Sequence, residues 1–362
     1  MRLSETLEQA LRAGVDPFKG LLILLVILDH NDQAHALLPR IMDPMTFHVL
    51  GFLLLPFLLP GPSLSKELIM DRFARYWIPH AFVVTLAALL FWMLYRRADS
   101  IAAMISNYAL AIVFGSAPLI KQATGFLAYW FLPTLFGLVV TLAAYRAASA
   151  NWRWTLLAFF IACHCFLTAG NFPAYRFIPF GLAIAANVFV LGLLLKAIVA
   201  SKAAYAVRWI APAIFVVSYG ALAWQQDWLE VALLGLAPVT QLRLFLLQDI
   251  AGLSGVLTVL LAGNALARNR AIASIGRHSL MIYLIHPPAY VAIVAVEGVA
   301  GIHVTSLGGD IAVGAFNFVL AAAASWAAAV VIARTALLRD WITPRRWCEW
   351  KPLTAIRGLR AI

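Results

Sequence analysis

The sequence predicts an all-α protein, a polytopic membrane helical bundle with about ten transmembrane helices of roughly 20 residues each. Apolar residues make up 63% of the 362 residues, charged residues make up 12%, and the mean hydropathy is +0.88. This composition excludes an ordinary soluble domain. The three cysteines, Cys163, Cys165 and Cys348, have neither the number nor the spacing of a disulfide framework or a metal site, so no metal is expected.

The order of the predicted helices follows from apolar stretches separated by short polar segments. The helices are predicted at 18–36, 44–60, 74–95, 125–146, 154–170, 177–198, 207–225, 243–265, 274–296 and 310–334. Residues 103–119 are also apolar but contain Asn107, Gly115 and Pro118. We interpret this stretch as a re-entrant or interfacial segment, with an eleventh span as the alternative.

The formal charge of +11 would suggest nucleic-acid binding in a soluble protein. Here most of the 27 Lys and Arg residues fall in alternate loops and in the C-terminal tail, which is typical of cytoplasmic segments. We therefore expect both termini in the cytoplasm and no nucleic-acid partner. The predicted divisions are a cytoplasmic N-terminal segment at 1–17, the transmembrane domain at 18–334, and a basic cytoplasmic tail at 335–362 that lies on membrane lipid.

The first predicted helix carries unusual charged and titratable residues. Lys19 and His30 are eleven residues apart, which places them on one face of a helix and about 16 Å apart along its axis. Asp29 and Asp32 flank His30. Such groups at membrane depth indicate function, because burying them is costly. A histidine beside a carboxylate can act as a general base near neutral pH, and the sequence leaves open which acid touches the ring.

Two further patterns could form a site. Arg72 and Arg75 are spaced i, i+3 at the predicted cytoplasmic surface, where guanidinium groups suit a phosphate-bearing ligand or simply mark the inner face. Ser279, Tyr283 and His286 follow i, i+4, i+7 spacing on an apolar helix. A polar stripe of this kind either joins helices together or lines a cavity.

Taken together, these motifs and the helix start at Tyr129-Trp130-Phe131-Leu132-Pro133 resemble the acyltransferase family 3 membrane proteins, the bacterial O-acetyltransferases of polysaccharides and oligosaccharides. The motifs that carry the resemblance are Lys19-(ten residues)-His30, Arg72-x-x-Arg75, the Tyr129–Pro133 start and Ser279-Leu280-Met281-Ile282-Tyr283-Leu284-Ile285-His286. The resemblance covers about residues 16–335. Many members have Arg where this chain has Lys19. Lysine keeps the positive charge but lacks the planar guanidinium that binds phosphate through two hydrogen bonds.

The resemblance implies transfer of an acyl group, usually acetyl from acetyl-CoA, to a sugar hydroxyl of a glycan or glycolipid at the bacterial inner membrane. It implies donor binding at Lys19, Arg72 and Arg75. It assigns an essential role to His30, as general base or as acyl carrier. No extra soluble esterase-like domain is expected, which leaves open whether a partner protein completes the transfer, and the oligomeric state is equally open.

The remaining catalytic candidates come from the chemistry that such a transfer needs. Asp29 or Asp32 would stabilise the charged imidazole that forms during proton transfer. Asn31, Tyr283 and His286 are candidates to stabilise the oxyanion.

Two other function classes fit the same residues. A proton-coupled secondary transporter could use Asp29, His30 and Asp249, all predicted within the membrane. The absence of a visible internal repeat argues against that class. A non-catalytic, flippase-like glycan-handling protein is the third alternative.

Overall fold

The computed structural model of the protein describes residues 3–42, 47–61, 63–95, 100–115, 117–124, 128–169, 182–201, 204–224, 242–301, 306–344 and 346–350. Every regular element in these ranges is helical. The prediction of an all-α helical bundle is confirmed.

The helices are numbered in chain order. They are α1 Leu3–Asp29, α2 Asp32–Leu37, α3 Pro39–Met42, α4 Phe47–Leu58, α5 Lys66–Tyr95, α6 Ile101–Phe114, α7 Ala117–Thr124, α8 Phe131–Ala147, α9 Ala150–Ala169, α10 Leu182–Ala200, α11 Ala204–Trp224, α12 Leu242–Ala265, α13 Arg270–Arg277, α14 Ser279–Ala300, α15 Leu307–Arg334 and α16 Ala336–Ile342. Short 3-10 turns lie at Ala128–Trp130 and Trp347–Glu349.

Most predicted helices are present in the described residues with ends shifted by a few residues, and the first and the ninth show the largest changes. The segment predicted as one helix at 274–296 is divided into α13 and α14, because the chain bends at His278. α5 begins earlier than predicted, at Lys66, so that Arg72 and Arg75 lie inside the helix.

The chain folds as two compact units, each assembled from separate stretches of sequence. The first unit contains Met1–Leu58, Leu191–Leu233 and Ala237–Val330. The second contains Leu59–Val190, Leu234–Leu236 and Val331–Ile362. His30 and the α14 stripe therefore belong to the first unit, and Arg72 and Arg75 belong to the second.

Five helical stretches among the described residues are long and apolar enough to cross a membrane. They are Pro39–Leu58, Lys66–Met93, Leu246–Ala265, Ser279–Ala300 and Leu307–Arg334. Shorter apolar helices accompany them, at Ile101–Phe114, Phe131–Ala147, Val188–Ala200 and Trp209–Trp224. These helices identify a membrane protein by their length and composition.

α15 shows the inverted burial pattern of a lipid-facing helix. Its buried residues are small or polar, namely Gly314, Asn317, Ala321, Ser325 and Ala329. Its exposed residues include large apolar side chains, namely Ile311, Phe316, Val319, Leu320 and Val331. In water this arrangement would be unfavourable, but in lipid small residues allow close helix packing and large apolar residues meet the acyl chains.

The apolar stretch predicted to be re-entrant or interfacial contains α6, which ends at Gly115 with φ of 60°. Fourteen residues extend about 21 Å, which is short of the roughly 30 Å hydrocarbon core. A Cβ on Gly115 would lie 2.5 Å from Cβ of Pro133, so both backbone conformation and space require glycine here. The re-entrant or interfacial interpretation stays a prediction, with which the length of α6 is compatible.

α1 packs against α13 with backbone almost touching backbone, and two glycines make this contact. A Cβ on Gly276 would lie 1.7 Å from the backbone oxygen of Asp16. A Cβ on Gly20 would lie 2.3 Å from the backbone oxygen of Ile272. This close approach fixes the position of the helix that leads to His30.

Candidate active site

The end of α1 places His30 at a break in the chain. The predicted helix at 18–36 is wrong in its boundaries, because α1 begins at Leu3 and ends at Asp29, and α2 starts only at Asp32. Asn31 causes the break: its backbone is extended and its Oδ1 accepts a hydrogen bond from the N–H of Ala34, so that it caps α2. His30 thus lies in a turn between two helices rather than within one.

The imidazole of His30 is held in one orientation by the backbone of α1, the helix that ends just before it. Its Nδ1 lies 2.8 Å from the carbonyl oxygen of Val26. Because a carbonyl oxygen only accepts, Nδ1 carries the hydrogen and donates it. In the neutral ring the lone pair is then on Nε2. The partner of His30 is a backbone carbonyl and not one of the two neighbouring carboxylates.

His286 lies against His30. The two ring centroids are 4.8 Å apart and the ring planes meet at 81°, in an edge-to-face arrangement. His286 is completely buried, and its ring nitrogens lie beside the backbone of Ile282 and Tyr283 without a well-aligned hydrogen bond to a described residue. The ring of Tyr283, one turn earlier on α14, is centred 5.8 Å from the ring of His286. The structure therefore brings His30, His286 and Tyr283 together.

Asp29 faces a different pair of histidines. One carboxylate oxygen lies 3.5 Å from Nε2 of His35, and the other lies 3.4 Å from Nε2 of His48, which is buried in α4. His35 also donates to the backbone oxygen of Asp29 at 2.6 Å. Asp32, the first residue of α2, is exposed. Of the two candidate acids, Asp29 is the one inside the cluster.

The predicted polar stripe of α14 is buried at Ser279, Tyr283 and His286, and it extends further than the sequence motif. Tyr290, four residues after His286, donates its hydroxyl hydrogen to the carbonyl oxygen of Ile27 at 2.9 Å. Tyr290 was not among the residues predicted from the sequence, although it lies on the same helix beyond Pro287 and Pro288. The i, i+4 spacing from His286 was the available signal.

Asn31 also connects the break to α15. Its Nδ2 donates to the carbonyl oxygen of Gly314 at 2.7 Å, and its side chain is only 1% exposed. Both polar atoms of this amide therefore have structural partners. This leaves Asn31 a weaker candidate for the oxyanion than His286.

We expect Asn31→Ala to lower the melting temperature of the purified protein in detergent, through loss of about 1 kcal/mol for the cap and about 1 kcal/mol for the buried hydrogen bond to Gly314. Asn269→Ala is the matched control. Asn269 caps α13 with the same side-chain oxygen, accepting from Ala271 and Ile272, and these caps are exposed. Equal losses of stability in the two variants would contradict a connecting role for Asn31.

Lys19, predicted to bind the acyl donor, is paired within α1. Its Nζ lies 2.7 Å from Oδ1 of Asp16, one turn earlier, and its side chain is 23% exposed. The ammonium group is therefore partly accessible and partly neutralised. An incoming phosphate would compete with Asp16 for it.

Arg72 and Arg75 lie on α5 in the second compact unit. Arg75 is exposed, and its guanidinium carbon lies 5.9 Å from the centre of the Tyr76 ring. Nε of Arg72 is buried and has no hydrogen-bond partner among the described residues. A buried donor without a partner is costly, and an anionic ligand would satisfy it.

Comparison with known proteins assigns the chain to a family. The sequence profile of the acyltransferase domain matches residues 12–334 of the chain. The chain belongs to acyltransferase family 3. No curated protein and no solved structure matches it significantly.

The family match covers both compact units up to the end of α15, and it identifies this membrane protein as an acyltransferase. It leaves α16 and the 3-10 turn at Trp347–Glu349 outside the matched range. Within the described part of the acyltransferase, no group of three histidine, cysteine or acidic residues has the arrangement of a metal site.

Proposed function

We propose that this acyltransferase moves an acyl group, acetyl in the first instance, from cytosolic acyl-CoA to a hydroxyl group of a sugar in a glycan or glycolipid. The proposal places the protein in the bacterial inner membrane with both termini in the cytoplasm. Membership of acyltransferase family 3 favours this enzyme over a proton-coupled transporter.

The orientation of His30 is the observation that supports this proposal most. With Nδ1 donating to Val26, the lone pair on Nε2 is available to take a proton. In the proposed reaction Nε2 removes the proton of the sugar hydroxyl while the hydroxyl oxygen attacks the thioester carbonyl. Collapse of the tetrahedral intermediate expels the CoA sulfur, which receives that proton from His30. The products are the ester and CoA thiol.

His286 is suited to stabilise the oxyanion of that intermediate. It packs on His30, it is completely buried, and its ring nitrogens make no well-aligned hydrogen bond to a described residue. A neutral imidazole has one N–H, which could donate to the developing negative charge in a site with little water. Tyr283 contacts the His286 ring and orients it in this account.

Asp29 acts electrostatically in this proposal. Its carboxylate is attached to the residue before His30 and is held by His35 and His48, so its charge is fixed close to the imidazole. A negative charge nearby stabilises the imidazolium that forms in the transition state. Asp32 is given no catalytic role because it is exposed.

The phosphates of the donor are assigned to Arg72 and Arg75, which lie on one helix of the second unit. We expect Arg72→Gln and Arg75→Gln each to weaken CoA binding about tenfold or more, because a hydrogen bond to a charged group contributes about 1.5–3 kcal/mol. Arg40→Gln is the control, since Arg40 is exposed on α3 in the first unit.

The measurement is the dissociation constant of CoA for the purified protein in detergent, at one fixed salt concentration. Unchanged binding in both arginine variants would contradict the donor assignment. Absence of CoA binding in the wild-type protein would contradict the proposed function itself.

A further inference from the structure

The C-terminal segment beyond the family match packs on the helix that carries Arg72 and Arg75. It contains α16 and the 3-10 turn Trp347–Glu349, and it belongs to the same compact unit as α5. Ile342 and Pro344 in this segment are buried. The segment is thus a packed part of the second unit rather than an unattached tail.

Trp347 makes two contacts with α5. Its backbone N–H donates to Oδ1 of Asp71 at 3.0 Å. Its ring lies edge-to-face against Phe73, with 5.8 Å between ring centroids. Phe73 in turn stacks on Trp77, so the ring of Trp347 packs against a pair of stacked aromatic rings on α5. Trp350 packs against Trp347 with 5.5 Å between centroids.

Asp71 is the acid best placed to neutralise the arginine pair. It directly precedes Arg72, and it is four residues before Arg75, the spacing at which an acid and a base pair on a helix. In the described structure no ion pair joins Asp71 to either arginine, and Asp71 accepts from Trp347 instead. The hydrogen bond therefore engages the carboxylate that would otherwise compete with a bound phosphate.

We propose that the C-terminal segment is part of the acyl-donor site, with Trp347 as a positioning residue that keeps Asp71 away from Arg72 and Arg75. This inference rests on the proposed function, since the ligand of the pair is a phosphate of acyl-CoA. The buried Nε of Arg72 has no hydrogen-bond partner in the described residues, which is a second indication that Arg72 and Arg75 bind an anion.

The test removes a single backbone donor. Trp347 is the first residue of its 3-10 turn, and Arg346 before it is extended with φ of −131° and ψ of 147°. Proline is tolerated at the first position of a helical turn and after an extended residue. Trp347→Pro therefore removes the N–H that Asp71 uses, and Trp347→Ala removes the same ring while keeping that N–H.

CoA binding is measured for both variants and for Trp347→Pro combined with Asp71→Asn. We expect Trp347→Pro to weaken binding up to about fivefold relative to Trp347→Ala, the scale of one exposed ion pair, and the difference to shrink as salt is raised. Adding Asp71→Asn is expected to restore the affinity, because it removes the competing charge.

The outcomes separate a charge effect from a structural one. Weakening that Asp71→Asn does not rescue would mean that the proline only disturbs packing, and would overturn the inference. Equal affinity of Trp347→Pro and Trp347→Ala would overturn it as well. In both cases the wild-type protein still binds CoA, so the proposed function stands; a wild-type protein that does not bind CoA contradicts the proposed function instead.

Discussion

Replacing His30 with glutamine is expected to reduce acyl transfer by about 100-fold or more, the usual contribution of a general base. Glutamine retains a polar side chain at the turn after α1 but cannot take a proton near neutral pH. The measurement is kcat for release of CoA thiol from acetyl-CoA by purified protein. Binding of CoA is expected to persist, because Arg72 and Arg75, which are assigned to the donor, are unchanged in this variant.

His278→Gln is the matched control for this substitution. His278 also has its Nδ1 2.8 Å from the carbonyl oxygen four residues earlier, that of Ser274, and it too lies at the end of a helix. It has no assigned part in the chemistry. If the two variants lose activity equally, the loss reflects the structure of the helix end rather than a base at His30.

Replacing Gly276 with alanine is expected to destabilise the protein by about 1–3 kcal/mol, the usual cost of overpacking a close contact. The added methyl group would overlap the backbone oxygen of Asp16 at 1.7 Å, and a backbone atom cannot move aside as a side chain can. α1 must then separate from α13. The measurement is the melting temperature of the purified protein in detergent.

Gly298→Ala tests the same change where space is open. Gly298 lies within α14, and nothing lies within 4 Å of an added Cβ. Alanine is about 1 kcal/mol better than glycine inside a helix, so this control is expected to leave the melting temperature unchanged or to raise it. A fall of similar size in both variants would contradict close packing of α1 against α13.

Helix positions were accessible from sequence because each membrane helix is a local pattern. A run of apolar residues long enough to span the bilayer predicts a helix wherever it folds. The same holds for the buried stripe of Ser279, Tyr283 and His286, which follows from spacing within one helix. The boundaries of α12 and α15 differ from the predicted ones by only a few residues.

The geometry around His30 was not accessible in this way, because it depends on contacts between distant residues. The amide of Asn31 reaches Gly314, 283 residues later in the chain, and Tyr290 reaches Ile27 across 263 residues. No periodicity within a single helix contains these pairs. The same applies to His48, which approaches Asp29 from α4.

The break after α1 could have been predicted from the sequence. Asn31 is a favoured N-cap residue, and Asp32 suits the first turn of the helix that follows. The predicted helix at 18–36 followed instead from the length of about 20 residues that a spanning helix needs. The cap decides the end of α1, and it places His30 in a turn.

The most direct test of the proposed function is release of CoA thiol by the wild-type protein in liposomes, with acetyl-CoA and longer acyl-CoAs and with a mixture of sugar acceptors. We expect thiol release that requires the protein, increases with acceptor and is lost in His30→Gln. No release from any acyl-CoA, together with proton-driven uptake of a solute, would contradict the acyltransfer mechanism proposed at His30.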